Sequence, residues 1–194
     1  MTKEQQLEEI AQTIRYCQNC ALYQKATQAV PGEGNSQSEV MFIGEGPGFY
    51  EDKQGRPFVG QAGKLLDKLL ASINLPRKEV FIGNVVKHRP PENRDPLPQE
   101  IEACAPFLDQ QIKIINPKII VTLGRFSLNK FLPGEFISKV HGQARFVNFA
   151  GQKRIVIPMY HPAAALRRSI IMEEIKKDFR EIEKFLKDVF QTKY

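Results

Sequence analysis

The pattern of hydrophobic and polar positions divides the chain into short apolar runs and longer segments with helical spacing. The apolar runs are rich in β-branched residues and end near glycine, proline or polar residues, which is typical of buried strands. They cover residues 40–43, 80–86, 119–123 and 155–159. Apolar residues recur every three or four positions in residues 3–16, 61–73, 98–115, 125–131 and 169–187, which predicts helices. Alternating strands and helices indicate an α/β protein whose four-stranded, mainly parallel central sheet is flanked by helices.

The composition fits one globular domain covering residues 1–194. Apolar residues make up 42% of the chain, and no apolar run reaches the roughly 18 residues that a membrane span needs. The N-terminal segment is rich in acids and amides, whereas a secretory signal is basic and then apolar, so we expect a cytoplasmic protein. A net charge of +6 is compatible with a polyanionic partner but does not identify one.

Polar clusters follow each of the four predicted strands. They read GEGPGFYEDKQGRPFVG, NVVKHRPPENRDP, LGRFS and YHPAAALRR. Ligands of open parallel sheets bind at the carboxyl ends of the strands, so we expect these clusters to form one site. Taken singly, the glycines and prolines could merely shape turns, and His161 could be a structural residue. The chain has no phosphate-loop or dinucleotide fingerprint and no carboxylate and histidine cluster for two metals, which disfavours nucleotide binding and phosphate-ester hydrolysis.

The cysteines raise the question of a metal site. The chain contains three of them, an odd number for a disulfide framework, and a reducing compartment disfavours disulfides. Cys17 and Cys20 form a C-x2-C pair after the first predicted helix, and Cys104 lies far downstream.

Three segments together are similar to the motifs of a known family. GEGPGFYEDKQGRPFVGQAGKLL, NVVKHRPPENRDPLPQE and HPAAALRR resemble those of the family 4 uracil-DNA glycosylases, the thermostable-type, iron-sulfur members of their superfamily. The resemblance extends in order from Cys17 to about Arg167. It implies a three-layer α/β/α fold and an enzyme that flips uracil out of single- or double-stranded DNA and hydrolyses its N-glycosidic bond, which begins base excision repair. We expect such an enzyme to act as a monomer.

The resemblance also implies roles for individual residues. Phe58 matches the residue that stacks on uracil, and Asn84 matches the amide that reads its edge. Cleavage leaves a uracil anion and a cationic sugar. His161 matches the histidine that donates a hydrogen bond to the departing base, and Glu45 matches the carboxylate that orients water or favours the cationic sugar.

Further positions of the motifs are expected to contact the substrate. Gly46 would permit a close approach of the flipped nucleotide, and Glu51 would exclude the methyl group of thymine at the uracil C5 edge. Asn93 and Arg94 in the PPENRDP segment, with Arg167 after the catalytic histidine, are expected to face DNA.

One metal ligand departs from the family pattern. The family holds a [4Fe-4S] cluster with four cysteines, but here His88 in KHRP stands where the family has a cysteine. Because imidazole can replace thiolate on iron, the favoured hypothesis is a cluster bound by Cys17, Cys20, His88 and Cys104. The same ligands could hold zinc instead, or the site could be empty. In each case we expect a structural role for this site.

Two other functions are compatible with the sequence. One is a non-catalytic iron-sulfur module that binds DNA or associates with a polymerase. The presence of Glu45, Asn84 and His161 favours the enzyme, because a binding module would be free to lose them. The other is a relative that traps uracil DNA covalently through a histidine in an inserted basic loop. This chain lacks that loop, since RPPENRDP follows His88 directly.

Overall fold

The computed structural model describes residues 1–190 and places six strands in one mixed sheet of order β1-β3-β2-β4-β6-β5. The strands are β1 Glu33–Gly34, β2 Val40–Gly44, β3 Phe81–Asn84, β4 Ile119–Leu123, β5 Arg145–Phe149 and β6 Gln152–Met159. The helices are α1 Lys3–Arg15, α2 Phe49–Gln54, α3 Gln61–Ser72, α4 Pro98–Ile115, α5 Arg125–Phe131, α6 Ile137–Val140, α7 Pro162–Ala165 and α8 Ser169–Phe190. Short 3₁₀ turns lie at Ala21–Gln24, Arg77–Glu79 and Pro91–Asn93.

The prediction of a four-stranded sheet is correct for the centre of the sheet and wrong for its edges. Strands β3, β2, β4 and β6 are parallel neighbours, as predicted. The edge strands β1 and β5 pair antiparallel with β3 and β6 and make the sheet six-stranded. The sequence pattern did not predict them because β1 has only two residues and β5 alternates half-buried with exposed positions, without a continuous apolar run.

Helices cover both faces of the sheet, because successive strand residues point to opposite sides. Phe42 faces α3, α7 and α8, and its ring lies 6.2 Å from that of Phe179 on α8. Met41 and Ile43 face the other side, where they pack with residues of α4. Helix α1 in turn packs against α4. The arrangement has the three layers that the sequence predicts.

The long helices lie close to their predicted bounds. Helix α1 begins with a capping box in which Thr2 and Gln5 satisfy each other's free backbone N–H groups. Helix α4 ends at Ile115 and is capped by Asn116, which adopts a left-handed conformation. The helices α2, α6 and α7 were not predicted, because four to six residues are too few to show a helical period. Among the described residues, no helix combines the length and apolar character needed to cross a membrane.

Candidate active site

A cleft of about 670 Å³ opens at the carboxyl edge of the parallel strands. The segments after β2, β3, β4 and β6 all contribute to its lining, as expected for an open parallel sheet. The cleft brings together every residue predicted to act on uracil or DNA: Glu45, Gly46, Glu51, Phe58, Asn84, Asn93, Arg94, His161 and Arg167.

Asn84 presents an unused hydrogen-bonding atom at the floor of the cleft. It ends β3 opposite Gly44 of β2, and its side chain is 1% exposed. The Oδ1 atom is buried and has no hydrogen-bond partner within residues 1–190. A Cβ added to Gly44 would lie 2.5 Å from this oxygen and 2.7 Å from Cζ of Phe58. Glycine at position 44 therefore lets the amide and the aromatic ring approach each other.

Phe58 has a backbone conformation that few residues other than glycine adopt. Its φ is 50°, in the left-handed region, and its ring stacks on that of His161 with centroids 5.5 Å apart. Arg77 donates a hydrogen bond of 3.1 Å from Nη1 to the Phe58 carbonyl. Its Nη2 atom forms an ion pair of 2.8 Å with Glu33. Backbone strain of this kind persists where surrounding contacts enforce it, so Arg77 helps to fix the position of the ring.

His161 is neutral and carries its ring proton on Nε2. It caps the N-terminus of α7, where its Nδ1 accepts a hydrogen bond of 3.1 Å from the backbone N–H of Ala163. A nitrogen that accepts carries no proton, so the ring proton is on Nε2. Burial lowers the pKa of His161 to about 4, although the charge of Glu51 opposes the shift. The imidazole is therefore uncharged near neutral pH.

Glu45 lies directly after β2 and is half-buried. Burial, and then the negative charge of Asp95, raise its pKa to about 7, while Arg125 opposes them. Asp95 and Arg125 form an ion pair and both line the cleft. A carboxyl group that titrates near neutrality is suited to work with a proton or with a nearby positive charge.

Glu51 and Gly46 have structural partners beyond the roles predicted for them. The Oε1 atom of Glu51 accepts hydrogen bonds of 2.9 Å from the N–H groups of Val59 and Gly60 and so ties α2 to the chain after Phe58. A Cβ on Gly46 would lie 2.7 Å from a methyl carbon of Val86. The roles predicted for these two residues toward uracil stay predictions.

The three residues predicted to contact DNA differ in their freedom to do so. Arg94 is engaged by Glu100 through two hydrogen bonds of 2.7 and 2.9 Å, which hold the PPENRDP segment to α4. Asn93 accepts a hydrogen bond of 2.7 Å from Nε of Arg89. Arg167 is exposed at the cleft and forms no ion pair within the described part of the chain. It is the one of the three most available to a phosphate.

The chain is similar in sequence to known proteins. Residues 31–189 match the sequence model of the Uracil DNA glycosylase superfamily. The Type-4 uracil-DNA glycosylase of Saccharolobus solfataricus is 50% identical over 93% of this chain and 86% of its own, and that of Sulfurisphaera tokodaii is 50% identical over 91% and 83%. The enzyme of the same name from Archaeoglobus fulgidus is 48% identical over 91% of each chain. The chain belongs to the type-4 uracil-DNA glycosylases.

The thiols of this type-4 glycosylase lie close enough to influence one another. Burial, with smaller contributions from Cys20 and Cys17, raises the pKa of Cys104 to about 11. Burial also lowers the pKa of His88, which favours the neutral imidazole that a metal needs.

The side chains expected to form the metal site are three thiols and an imidazole. Within residues 1–190, no group of three or more His, Cys, Asp or Glu side chains is arranged to hold a metal ion. Three thiols with a neutral imidazole are suitable donors for iron, so the chemistry of these side chains fits an iron-sulfur cluster.

Sequence reasoning missed three residues of the glycosylase site. Arg77 stands in a 3₁₀ turn that faces the Phe58 segment, and nothing in the local pattern around it signals this contact. Asp95 and Arg125 belong to the clusters NVVKHRPPENRDP and LGRFS, which were expected at the cleft, but their pairing across it depends on the tertiary structure.

Proposed function

We propose that this type-4 uracil-DNA glycosylase binds deoxyuridine flipped out of DNA and hydrolyses its N-glycosidic bond. The observation that carries the proposal is the buried, unpaired Oδ1 of Asn84 beside the ring of Phe58. A buried acceptor without a partner costs about 1–3 kcal/mol, so the site gains when a ligand supplies a donor.

Uracil supplies the groups that this part of the cleft lacks. Its imide N–H would donate to Oδ1 of Asn84, and its O4 carbonyl would accept from the amide Nδ2. Its flat face would stack on Phe58. Cytosine has no imide proton and an amino group in place of O4, so it would meet acceptor against acceptor and donor against donor. Thymine would be excluded near Glu51, where its methyl group would displace a hydrogen-bonded carboxylate.

His161 would stabilise the departing base. Its Nε2 proton is aimed away from the hydrogen bond that Nδ1 makes, and a neutral imidazole can donate to the uracil oxygen on which negative charge develops. Because the pKa of His161 is about 4, the ring need not lose a proton before it takes this role.

Glu45 would act on the sugar side of the bond. As a carboxylate it would orient the attacking water and stabilise positive charge on the sugar while the bond to uracil breaks. The oxygen of that water becomes bonded to the sugar carbon, a proton of the water passes to the Glu45 carboxylate, and the electrons of the broken bond leave with the uracil anion. With a pKa of about 7, Glu45 is substantially ionised at neutral pH.

DNA would be held by groups at the rim of the cleft. Arg167 and the neighbouring Arg168 are exposed and offer positive charge to phosphates. Leu166, 48% exposed between α7 and these arginines, is placed to fill the gap left by an extruded nucleotide.

The metal site completes the proposal. Cys17, Cys20, Cys104 and His88 would hold a [4Fe-4S] cluster, whose role is structural. It would join the chain after α1 to α4 and to the loop that carries Asn93. The cytoplasmic location and the monomeric state expected from the sequence also stay predictions.

Cleavage of a uracil-containing oligonucleotide, with alkali added to cut abasic sites, tests the function. We expect product from uracil and none from thymine or cytosine. Asn84→Ala, Glu45→Ala and His161→Ala should each lower kcat/KM by about 10²- to 10³-fold, the scale of losing one preorganised polar group. The matched control is Asn148→Ala, because Asn148 is an exposed asparagine on β5, away from the cleft.

The alternative functions predict different results from the same assay. Bound but intact uracil DNA would support the non-catalytic module. A complex that survives denaturation would support the covalent trap. Either result would contradict the proposed hydrolysis.

A further inference from the structure

Two exposed aromatic rings stand at the edge of the cleft. Phe49 and Tyr50 begin α2, between the cleft-lining residues Gly48 and Glu51. They are 48% and 57% exposed, and their rings meet edge to face with centroids 5.4 Å apart. Neighbouring exposed rings beside a binding cleft are typical of a surface that a ligand covers.

Positive charge surrounds these rings. The guanidinium of Arg89 lies 5.2 Å from the centre of the Phe49 ring, and the ammonium of Lys53 lies 5.8 Å from it. Neither cation forms an ion pair within residues 1–190. Arg89 also donates to Asn93, which lines the cleft, so the aromatic surface and the cleft are continuous. Aromatic rings combined with unpaired cations are the features that bind single-stranded nucleic acid.

We propose that Tyr50, supported by Phe49 and flanked by Lys53 and Arg89, stacks on a base next to the flipped uridine in single-stranded DNA. We assign the stacking to Tyr50 for two reasons. Both cations lie against the ring of Phe49, and Tyr50 is more exposed than Phe49. In a duplex the neighbouring base stays paired and stacked in its own helix. The surface therefore favours single strands. This inference rests on the proposed function.

The chain provides a matched control for the chemistry of this surface. Phe146 on the edge strand β5 is 67% exposed, with the ammonium of Lys153 at 4.5 Å from its ring centre. It has the same pairing of ring and cation but is not among the residues that line the cleft. Phe146→Ala therefore removes an equivalent exposed ring at a distance from the proposed contact.

The experiment compares kcat/KM on three kinds of substrate. These are a single strand with a central uracil, the same strand with an abasic (base-less) nucleotide next to the uracil on its 5′ or its 3′ side, and the duplex. On the intact single strand, Tyr50→Ala should lower kcat/KM roughly 5- to 150-fold, mainly through KM, because each stacked base contributes about 1–3 kcal/mol. Tyr50→Phe and Phe146→Ala should retain the wild-type value. The duplex should show a smaller loss.

The base-less strands decide whether the lost contact is stacking. When the base on the contacted side is missing, wild type should lose a similar factor and Tyr50→Ala should lose little more, since the two changes remove one interaction. An equal loss from Tyr50→Ala on all strands, or no loss, would overturn the inference while leaving the glycosylase function intact. Failure of the wild type to release uracil from any strand would overturn both.

Discussion

The cleft shifts the pKa values of the two residues assigned to the chemistry in opposite directions. Burial lowers the pKa of His161 to about 4 and raises that of Glu45 to about 7, because burial disfavours whichever form is charged. Above about pH 5 the imidazole is neutral and ready to donate. Of these two groups, it is Glu45 that then changes its charge near neutrality, so the acidic limb of the pH profile should belong to this carboxylate.

A pH profile tests this assignment. We expect kcat/KM of the wild type to rise through about pH 7 as Glu45 ionises. Asp95→Asn should move this rise to lower pH, because the negative charge of Asp95 raises the pKa of Glu45, whereas Arg125→Gln should move it to higher pH. Both residues are exposed, so salt should reduce the two displacements. A rise centred near pH 4 would instead assign the limb to His161.

At the scale of elements, the sequence predicts helices and strands that are long enough to show a regular apolar pattern. It misses elements that are short or that depend on contacts with distant segments. The parallel strands β2, β3, β4 and β6 and the helices α1, α3, α4, α5 and α8 follow from their apolar patterns. The edge strands do not, because pairing rather than pattern defines them. The motifs predict which residues meet in the cleft. They do not predict that Arg94 is engaged by Glu100, since that contact depends on how the loop folds onto α4.

At the junction between α3 and the Phe58 segment, we expect a glycine-to-alanine substitution in a helix to destabilise the protein instead of stabilising it. Glycine to alanine inside a helix ordinarily stabilises a protein by about 1 kcal/mol. Gly63 lies in the first turn of α3, and a Cβ there would lie 1.8 Å from the Phe58 carbonyl oxygen. Gly63→Ala should therefore destabilise by about 1–3 kcal/mol, the scale of overpacking, and displace the Phe58 ring.

Two measurements check the Gly63 prediction. Thermal or denaturant unfolding should show the loss of stability, and the uracil assay should show a raised KM. Gln61→Ala is the control, since Gln61 is exposed in the same turn. A Gly63→Ala variant as stable as Gln61→Ala would contradict the packing argument.

At the scale of the whole molecule, the proposed cluster joins segments that are distant in the sequence. Cys17 and Cys20 follow α1, His88 follows β3, and Cys104 lies in α4. A group that binds only the folded state stabilises it, and each 1 kcal/mol lost from a chain of this size lowers the Tm by about 2–4 °C. Cys104→Ser should therefore reduce both the bound iron and the Tm.

The histidine ligand gives the last prediction. Exchange of thiolate for imidazole raises the reduction potential of an iron-sulfur centre, since a neutral ligand replaces an anionic one. His88→Cys should therefore bind a cluster of lower potential than the wild type, measured by voltammetry on anaerobically reconstituted protein. Asn148→Cys adds a thiol at an exposed position of β5 and should leave the potential unchanged. Equal reduction potentials in the wild type and His88→Cys would show that His88 is not a ligand. Absence of bound iron from the wild type would refute the cluster itself and would leave the assignment of the uracil site unchanged.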